Sequence, residues 1–140
     1  MTIFSKTSDR PGAKMVIMSD EQFLSVTPYL RYPDGDAAVE WLIRVLGFGP
    51  ARVSRDGDGH WYEGDIAVGS ARIAIGGGLT RPRSGYLIIG VPDADAVYRR
   101  IRDAGVEVDE PQDKPYGPRT VSVTDPWGTT WDFWQGEADY

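Results

Sequence analysis

The sequence contains no cysteine and a single histidine, His60. The lack of cysteine excludes disulfides, a thiolate nucleophile and cysteine-based zinc sites. No apolar run approaches the roughly 18 residues that a transmembrane helix needs. The first 23 residues carry scattered charges, whereas a signal peptide would have a compact apolar stretch there. We therefore expect a cytoplasmic protein.

Basic residues are also in short supply, with 15 Lys and Arg against 21 Asp and Glu, which gives a formal net charge of −6. Nucleic acids and anionic membranes bind basic surfaces, so this balance argues against both as partners. The same balance favours a cationic small molecule. An acidic surface that keeps a cytosolic protein soluble is the simpler explanation of the charge taken alone.

What the chain does have is an internal duplication. Asp93 lies 59 residues after Asp34, and the same offset carries Gly69 onto Gly128. The segments around the two aspartates share their order of residues: Pro33, Asp34, Asp36 and Ala37 recur as Pro92, Asp93, Asp95 and Ala96. A repeat of this length within 140 residues predicts two copies of one supersecondary unit.

Each copy predicts a strand, a helix and then three strands. Module one is expected over 24–76 and module two over 84–135, with a linker at 77–83, an N-terminal arm over 1–23 and a short tail over 136–140. Helices are predicted at 33–48 and about 93–104, each starting at a capping aspartate and ending near a glycine. The predicted strands are 24–32, 50–55, 60–68, 70–76, 85–91, 106–109, 119–124 and 129–135. The fold class is thus α+β, a single domain of two βαβββ modules that form a cleft.

Strand alternation sorts the side chains between the helix side and the free face of each sheet. In strand 129–135, Trp131 and Phe133 are expected against the helix, with Asp132 and Trp134 on the free face. The same rule assigns the free face to Ser122 and Tyr86 in module two. In module one, alternation places Tyr29, Arg31, Trp61, Glu63 and Asp65 on the free face and points Tyr62 toward the helix side.

The repeat and four of its segments resemble the vicinal-oxygen-chelate superfamily, in its glyoxalase/bleomycin resistance/dioxygenase-like branch. The segments are PYLRYPDGDAAVEWLIRVLGF, VGSARIAIG, VPDADAVYRRIRDAGVEV and KPYGPRTVSVTDPWGTTWDF. The resemblance covers about residues 25–135 and implies the paired-module fold, a ligand cleft and a homodimer. It also places a loop containing Tyr116 at the mouth of the cleft.

Catalytic members of that superfamily hold a divalent metal with four side chains. The matching positions here are Thr27, Ala74, Tyr86 and Asp132. Only Asp132 is an ordinary metal ligand, and one carboxylate does not hold a hard divalent cation. We therefore expect no metal and no other cofactor.

The predicted ligand-binding residues are the aromatic, acidic and polar side chains of the free faces: Tyr29, Arg31, Trp61, Glu63, Asp65, Tyr86, Tyr116, Ser122, Asp132 and Trp134. Aromatic walls bind planar or cationic groups by stacking and cation–π contacts. The carboxylates would attract a cation, although Glu63 and Asp65 could instead pair with Arg31 or Arg72.

Three functions remain open at this point. The first is a protein that binds an aromatic or cationic small molecule without changing it, as the bleomycin-resistance side of the superfamily implies. The second is a lyase, isomerase or dioxygenase-like enzyme, either metal-independent or with metal ligands at neighbouring positions. A metal-independent enzyme would use Asp132 or Glu63 as base and Tyr86 or Tyr116 as acid. The third is an interaction module with a closed cleft.

Overall fold

A computed structural model describes residues 25–79 and 85–139. The predicted N-terminal arm (1–23) and residues 80–83 of the predicted linker lie outside the described residues. In the part of the chain that is described, no helix is long and apolar enough to cross a membrane.

Module one contains the predicted strand, helix and three strands. Asp34 caps the helix by accepting a 3.1 Å hydrogen bond from the Ala37 amide, and Gly47 ends it with a φ of +77°. The elements are β1 (Tyr29–Arg31), α1 (Gly35–Trp41), a π-helical turn (Leu42–Leu46), β2 (Ala51–Arg55), β3 (Trp61–Val68) and β4 (Ala71–Gly76). The strands lie in the order β1-β4-β3-β2, with β1 parallel to β4 and the other pairs antiparallel.

Module two repeats this arrangement. Asp93 caps its helix through a 3.1 Å hydrogen bond from the Ala96 amide, the counterpart of the Asp34 cap. The elements are β5 (Gly85–Gly90), α2 (Ala94–Asp103), β6 (Gln112–Asp113), β7 (Arg119–Thr124) and β8 (Thr129–Gln135), with the strand order β5-β8-β7-β6. The equivalent caps and strand orders confirm the duplication.

The predicted strand at 106–109 is wrong. Val106 and Val108 pack half-buried against the core, but this segment joins no ladder. The alternation of apolar and polar residues reflects burial of an extended chain without pairing. Pro111 lacks an N–H, and the ladder with β7 begins only at Gln112.

The two modules share one core on the helix side of both sheets. Phe48 of module one meets Trp131 edge-on, with 5.4 Å between ring centroids, and Tyr32 meets Trp127 in the same way at 5.5 Å. At this junction the Tyr32 hydroxyl donates a 2.8 Å hydrogen bond to Asp125, which is buried in the turn between β7 and β8. Within residues 25–79 and 85–139, no helix covers the opposite faces of the two sheets.

Replacement of Tyr32 by Phe should lower the free energy of unfolding by about 1.5–3 kcal/mol, because it removes a hydrogen bond to a buried carboxylate. Chemical denaturation measures the change. Tyr62→Phe is the matched control, since that ring is exposed and its hydroxyl has no recorded bond within the described residues. Equal stability of the two variants would contradict a structural role for the Tyr32–Asp125 contact.

Candidate functional site

Strand register brings the predicted polar residues together on the uncovered face of each sheet. In sheet one, Tyr29, Ala74, Asp65 and Arg52 form one row across the strands, and in sheet two Ile88, Asp132 and Ser122 form the equivalent row. We call these surfaces face one and face two. Face one carries Tyr29, Arg31, Arg52, Glu63, Asp65 and Arg72, and face two carries Tyr86, Tyr116, Ser122, Asp132 and Trp134.

Asp132 is the centre of face two. Asp132 is only 5% exposed. Three side chains donate hydrogen bonds to its carboxylate: the Tyr86 hydroxyl, the Trp134 indole Nε1 at 2.8 Å and the Ser122 hydroxyl at 3.2 Å. The Tyr116 ring lies 5.8 Å from the Trp134 ring, at a tilt of 48°. The structure thus brings together all five residues predicted in module two.

All three donors to Asp132 are neutral groups. Among residues 25–79 and 85–139, no Arg, Lys or His forms an ion pair with this carboxylate. The carboxylate thus has no countercharge among these residues and lies beside two aromatic side chains, Tyr86 and Trp134. Its bond from Tyr86 favours the neutral phenol and raises the pKa of Tyr86 to about 12.

Face one has a different charge arrangement, because its central carboxylate is doubly paired. Asp65 accepts from Arg52 at 2.6 and 3.0 Å and from Arg72 at 2.5 and 2.9 Å. These guanidinium groups hold the pKa of Asp65 well below its usual range. The Tyr29 hydroxyl donates to Glu63 at 3.1 Å, and Arg31 donates to the Gly77 carbonyl at 3.1 Å. Arg52 was not among the predicted residues, although alternation along β2 could have placed it here.

A groove of about 780 Å³ adjoins face one, at the start of α1. It is bordered by four of the predicted ligand-binding residues: Tyr29, Arg31, Trp61 and Glu63. The hairpin turn at 56–60 forms its opposite wall, where Asp56 and His60 are exposed.

The predicted orientations of Trp61 and Tyr62 are wrong. Ser54 pairs with Glu63 but Arg55 pairs with Trp61, so β3 contains a bulge with one extra residue. The bulge reverses the alternation, and Trp61 turns to the helix side while Tyr62 is 64% exposed. The buried Trp61 indole donates to the Ile75 carbonyl at 2.9 Å and packs against Gly35 and Gly64. Trp61 nevertheless remains among the residues that line the groove.

The four positions that match the superfamily's metal ligands do not fit a metal here. Ala74 has no donor atom, and Tyr86 and Trp134 already donate to the one carboxylate, Asp132. Thr27 and Ala74 belong to module one, and no recorded contact in the described chain joins them to Tyr86 and Asp132. Elsewhere in that part of the chain, Asp56, Asp58 and His60 come together, but all three are exposed on a turn.

The sequence profile of the Glyoxalase/Bleomycin resistance protein/Dioxygenase superfamily matches residues 22–133. The chain belongs to this superfamily. No curated protein shows a significant match to the sequence. Solved structures do resemble it, and all three below share its fold.

TioX from Micromonospora sp. ML1 is 26% identical, with a TM-score of 0.68 over 81% of this chain and all of the other. A glyoxalase-related enzyme from Clostridium phytofermentans is 20% identical, with a TM-score of 0.70 over 84% of this chain and all of that one. A bleomycin-binding protein complexed with bleomycin is 23% identical, with a TM-score of 0.64 over 81% of this chain and 98% of that chain.

The raised pKa of Tyr86 can be measured by following tyrosine ring resonances against pH by NMR, with Tyr86→Phe to assign the signal. We expect a midpoint of about 12 that falls toward the ordinary 10 in Asp132→Asn, because the charged acceptor of the Tyr86 hydrogen bond is removed. The stabilisation from this contact should be complete below pH 10 and lost as the pH rises to 12. An unchanged midpoint in Asp132→Asn would contradict this cause.

Proposed function

We propose that this chain is a cytoplasmic, metal-free binding protein that sequesters an aromatic or cationic small molecule in a cleft lined by tryptophan, tyrosine and carboxylate side chains. The observation that carries the proposal is Asp132, a nearly buried carboxylate beside the Trp134 ring, which itself packs near Tyr116. Within residues 25–79 and 85–139, its side-chain partners are all neutral.

A carboxylate removed from water without a countercharge is unfavourable unless hydrogen bonds or a cation compensate it. Three donors supply part of that compensation, and a carboxylate can accept about four hydrogen bonds. One acceptor position is left for an N–H of a ligand. Aromatic faces next to a carboxylate suit a planar cation, since the charge is attracted by both the carboxylate and the ring quadrupole.

We further propose that a second copy of the chain completes the cleft. Tyr29, Tyr86 and Ile88 are each between 48% and 62% exposed, which leaves aromatic and aliphatic area on the uncovered faces. No recorded hydrogen bond, ion pair or ring contact in the described residues joins face one to face two. A two-fold dimer would oppose face one of each copy to face two of the other, and so form two equivalent clefts.

The charges of the faces fit such a dimer. Face one has three arginines and two carboxylates, for a net charge of +1, and face two has the single charge of Asp132. Structural neighbours support a binding role, since they include a bleomycin-binding protein complexed with bleomycin and TnmS3, an antibiotic binding protein from Streptomyces sp. CB03234.

A metal-independent lyase or isomerase is the second candidate, because Tyr86 and Asp132 are in hydrogen-bond contact and one neighbour is a glyoxalase-related enzyme. The same contact weighs against it. A Tyr86 pKa of about 12 makes the phenol a poor acid near neutral pH. The Tyr86 hydroxyl also donates to Asp132, so the phenol proton is directed at the candidate base and not at a substrate. The geometry therefore supports binding better than proton transfer.

Titration with the planar aromatic cation proflavine, followed by its fluorescence, tests the binding role. Asp132→Asn should weaken binding by about tenfold to a hundredfold, the cost of losing a charged hydrogen-bond partner. Trp134→Ala should weaken it by about tenfold through lost stacking and cation–π attraction.

Glu107→Gln is the control, because it removes an exposed carboxylate of equal charge outside both faces. Dialysis against EDTA should leave binding unchanged if no metal takes part. Equal affinity of wild type and Asp132→Asn for proflavine would contradict the proposal. If proflavine does not bind to the wild type at all, the interaction-module alternative is favoured.

Sedimentation equilibrium should show a species of twice the 15.5 kDa chain mass at micromolar concentration. Tyr86→Lys together with Ile88→Lys should shift the equilibrium toward the monomer, since charged side chains would be buried in the interface. A monomer for the unmodified protein under these conditions would overturn the two-copy cleft.

A further inference from the structure

A hollow of about 410 Å³ lies on face one, separate from the Asp132 cluster. It is lined by Tyr29, Arg52, Ser54, Glu63, Asp65 and Ala74, among others. Ala74 sits in the row between Tyr29 and Asp65, at the place that Asp132 takes in sheet two. Its methyl group leaves the centre of the hollow open.

One side of the hollow is positively charged. Arg52, Asp65 and Arg72 form a connected group of two cations and one anion, with a net charge of +1. The Arg52 side chain is 69% exposed and uses two of its N–H groups on Asp65. Three of the five guanidinium N–H groups remain, and their planar arrangement suits a carboxylate.

The other side of the hollow carries a negative charge. Glu63 is half-buried and accepts a hydrogen bond from Tyr29, and no ion pair to it is recorded in the described segments. Arg31, the remaining charged residue of face one, donates to the Gly77 carbonyl. Glu63 is thus available to a cationic group that lies beside the Tyr29 ring.

The spacing of these charges selects a class of ligand. Arg52 pairs with Asp65 across the strands, and Asp65 lies two residues from Glu63 on β3. The cationic row of the hollow is therefore about 6.6 Å along the strand from Glu63. An α-amino acid carries its ammonium and carboxylate on one carbon, so each group can hydrogen-bond to one side of a gap of this size.

We propose that face one binds a zwitterionic, amino-acid-like group, with its ammonium at Glu63, its carboxylate at Arg52 and its apolar part against Tyr29. The inference rests on the proposed function in taking face one as part of the ligand cleft. The contacts that carry it lie in module one alone.

The test is a ¹H–¹⁵N NMR titration of the full chain with three probes of similar size: L-phenylalanine, phenethylamine and phenylacetate. Phenylalanine should shift the amides near Arg52, Glu63 and Asp65, and should bind about tenfold more tightly than either probe with a single charge. Arg52→Gln should weaken phenylalanine about tenfold and leave phenethylamine unchanged. Glu63→Gln should weaken both.

Arg99→Gln, an exposed arginine of α2, is the matched control and should bind phenylalanine like the wild type. Thermal melting checks that each variant is folded. Equal phenylalanine affinity of Arg52→Gln and wild type, equal affinity for phenylalanine and phenethylamine, or no shift on face one would each overturn the inference.

The outcomes distinguish the zwitterion subsite on face one from the proposed role of Asp132 on face two. Shifts confined to residues around Asp132 and Trp134 would overturn the zwitterion subsite and support binding on face two. Phenylalanine shifts on face one, with proflavine binding insensitive to Asp132→Asn, would support the subsite and contradict the proposed role of Asp132.

Discussion

The buried carboxylate of Asp125 is the contact on which the arrangement of the two modules depends. It accepts from the amides of Trp127 and Thr129 at 3.0 Å, from the Trp131 indole at 3.1 Å and from the Tyr32 hydroxyl at 2.8 Å. The first three bonds shape the turn between β7 and β8. The fourth comes from module one, so the turn and the junction are built around one group. Because a buried carboxylate is costly when it loses a donor, this contact strongly favours one relative position of the modules.

That position determines what the rest of the surface can do. The helices and the aromatic residues near Asp125 join the modules on the helix side of both sheets. The opposite faces are therefore free of helices in the part of the chain that the structure describes. Asp125 and Asp132 are both nearly buried, but the two carboxylates have different surroundings. Asp125 has its donors inside a closed core, whereas Asp132 lies under the exposed Tyr86 ring on an open face.

The duplication allows the two modules to be compared position by position, and their chemistry differs. Equivalent positions in the central row hold Ala74 and Asp65 in sheet one and Asp132 and Ser122 in sheet two. The carboxylate of this row lies on β3 in sheet one and on β8 in sheet two. In sheet one it meets Arg52 and Arg72, and in sheet two it meets neutral donors. One face is consequently a mixed-charge surface and the other a single negative charge among aromatic rings.

Much of this organisation is determined locally and could be predicted from the sequence. The 59-residue offset, the capping aspartates Asp34 and Asp93 and the alternation in β8 depend on neighbours within a few residues. They were sufficient to predict two modules and to place Asp132 and Trp134 on one face. The superfamily resemblance agreed with these patterns and with the matched profile.

Other features depend on partners that are distant in sequence, and only the tertiary structure decided them. The bulge that turns Trp61 inward exists because β2 and β3 pair with a one-residue mismatch, which no single strand reveals. Val106 and Val108 are buried without a ladder, so their alternation resembled that of a strand. Strand order pairs Asp65 with Arg52 and, within the described strands, places neutral Ser122 beside Asp132. Charge neutralisation is a property of the side chains that meet across a sheet, and a sequence lists those side chains without their neighbours.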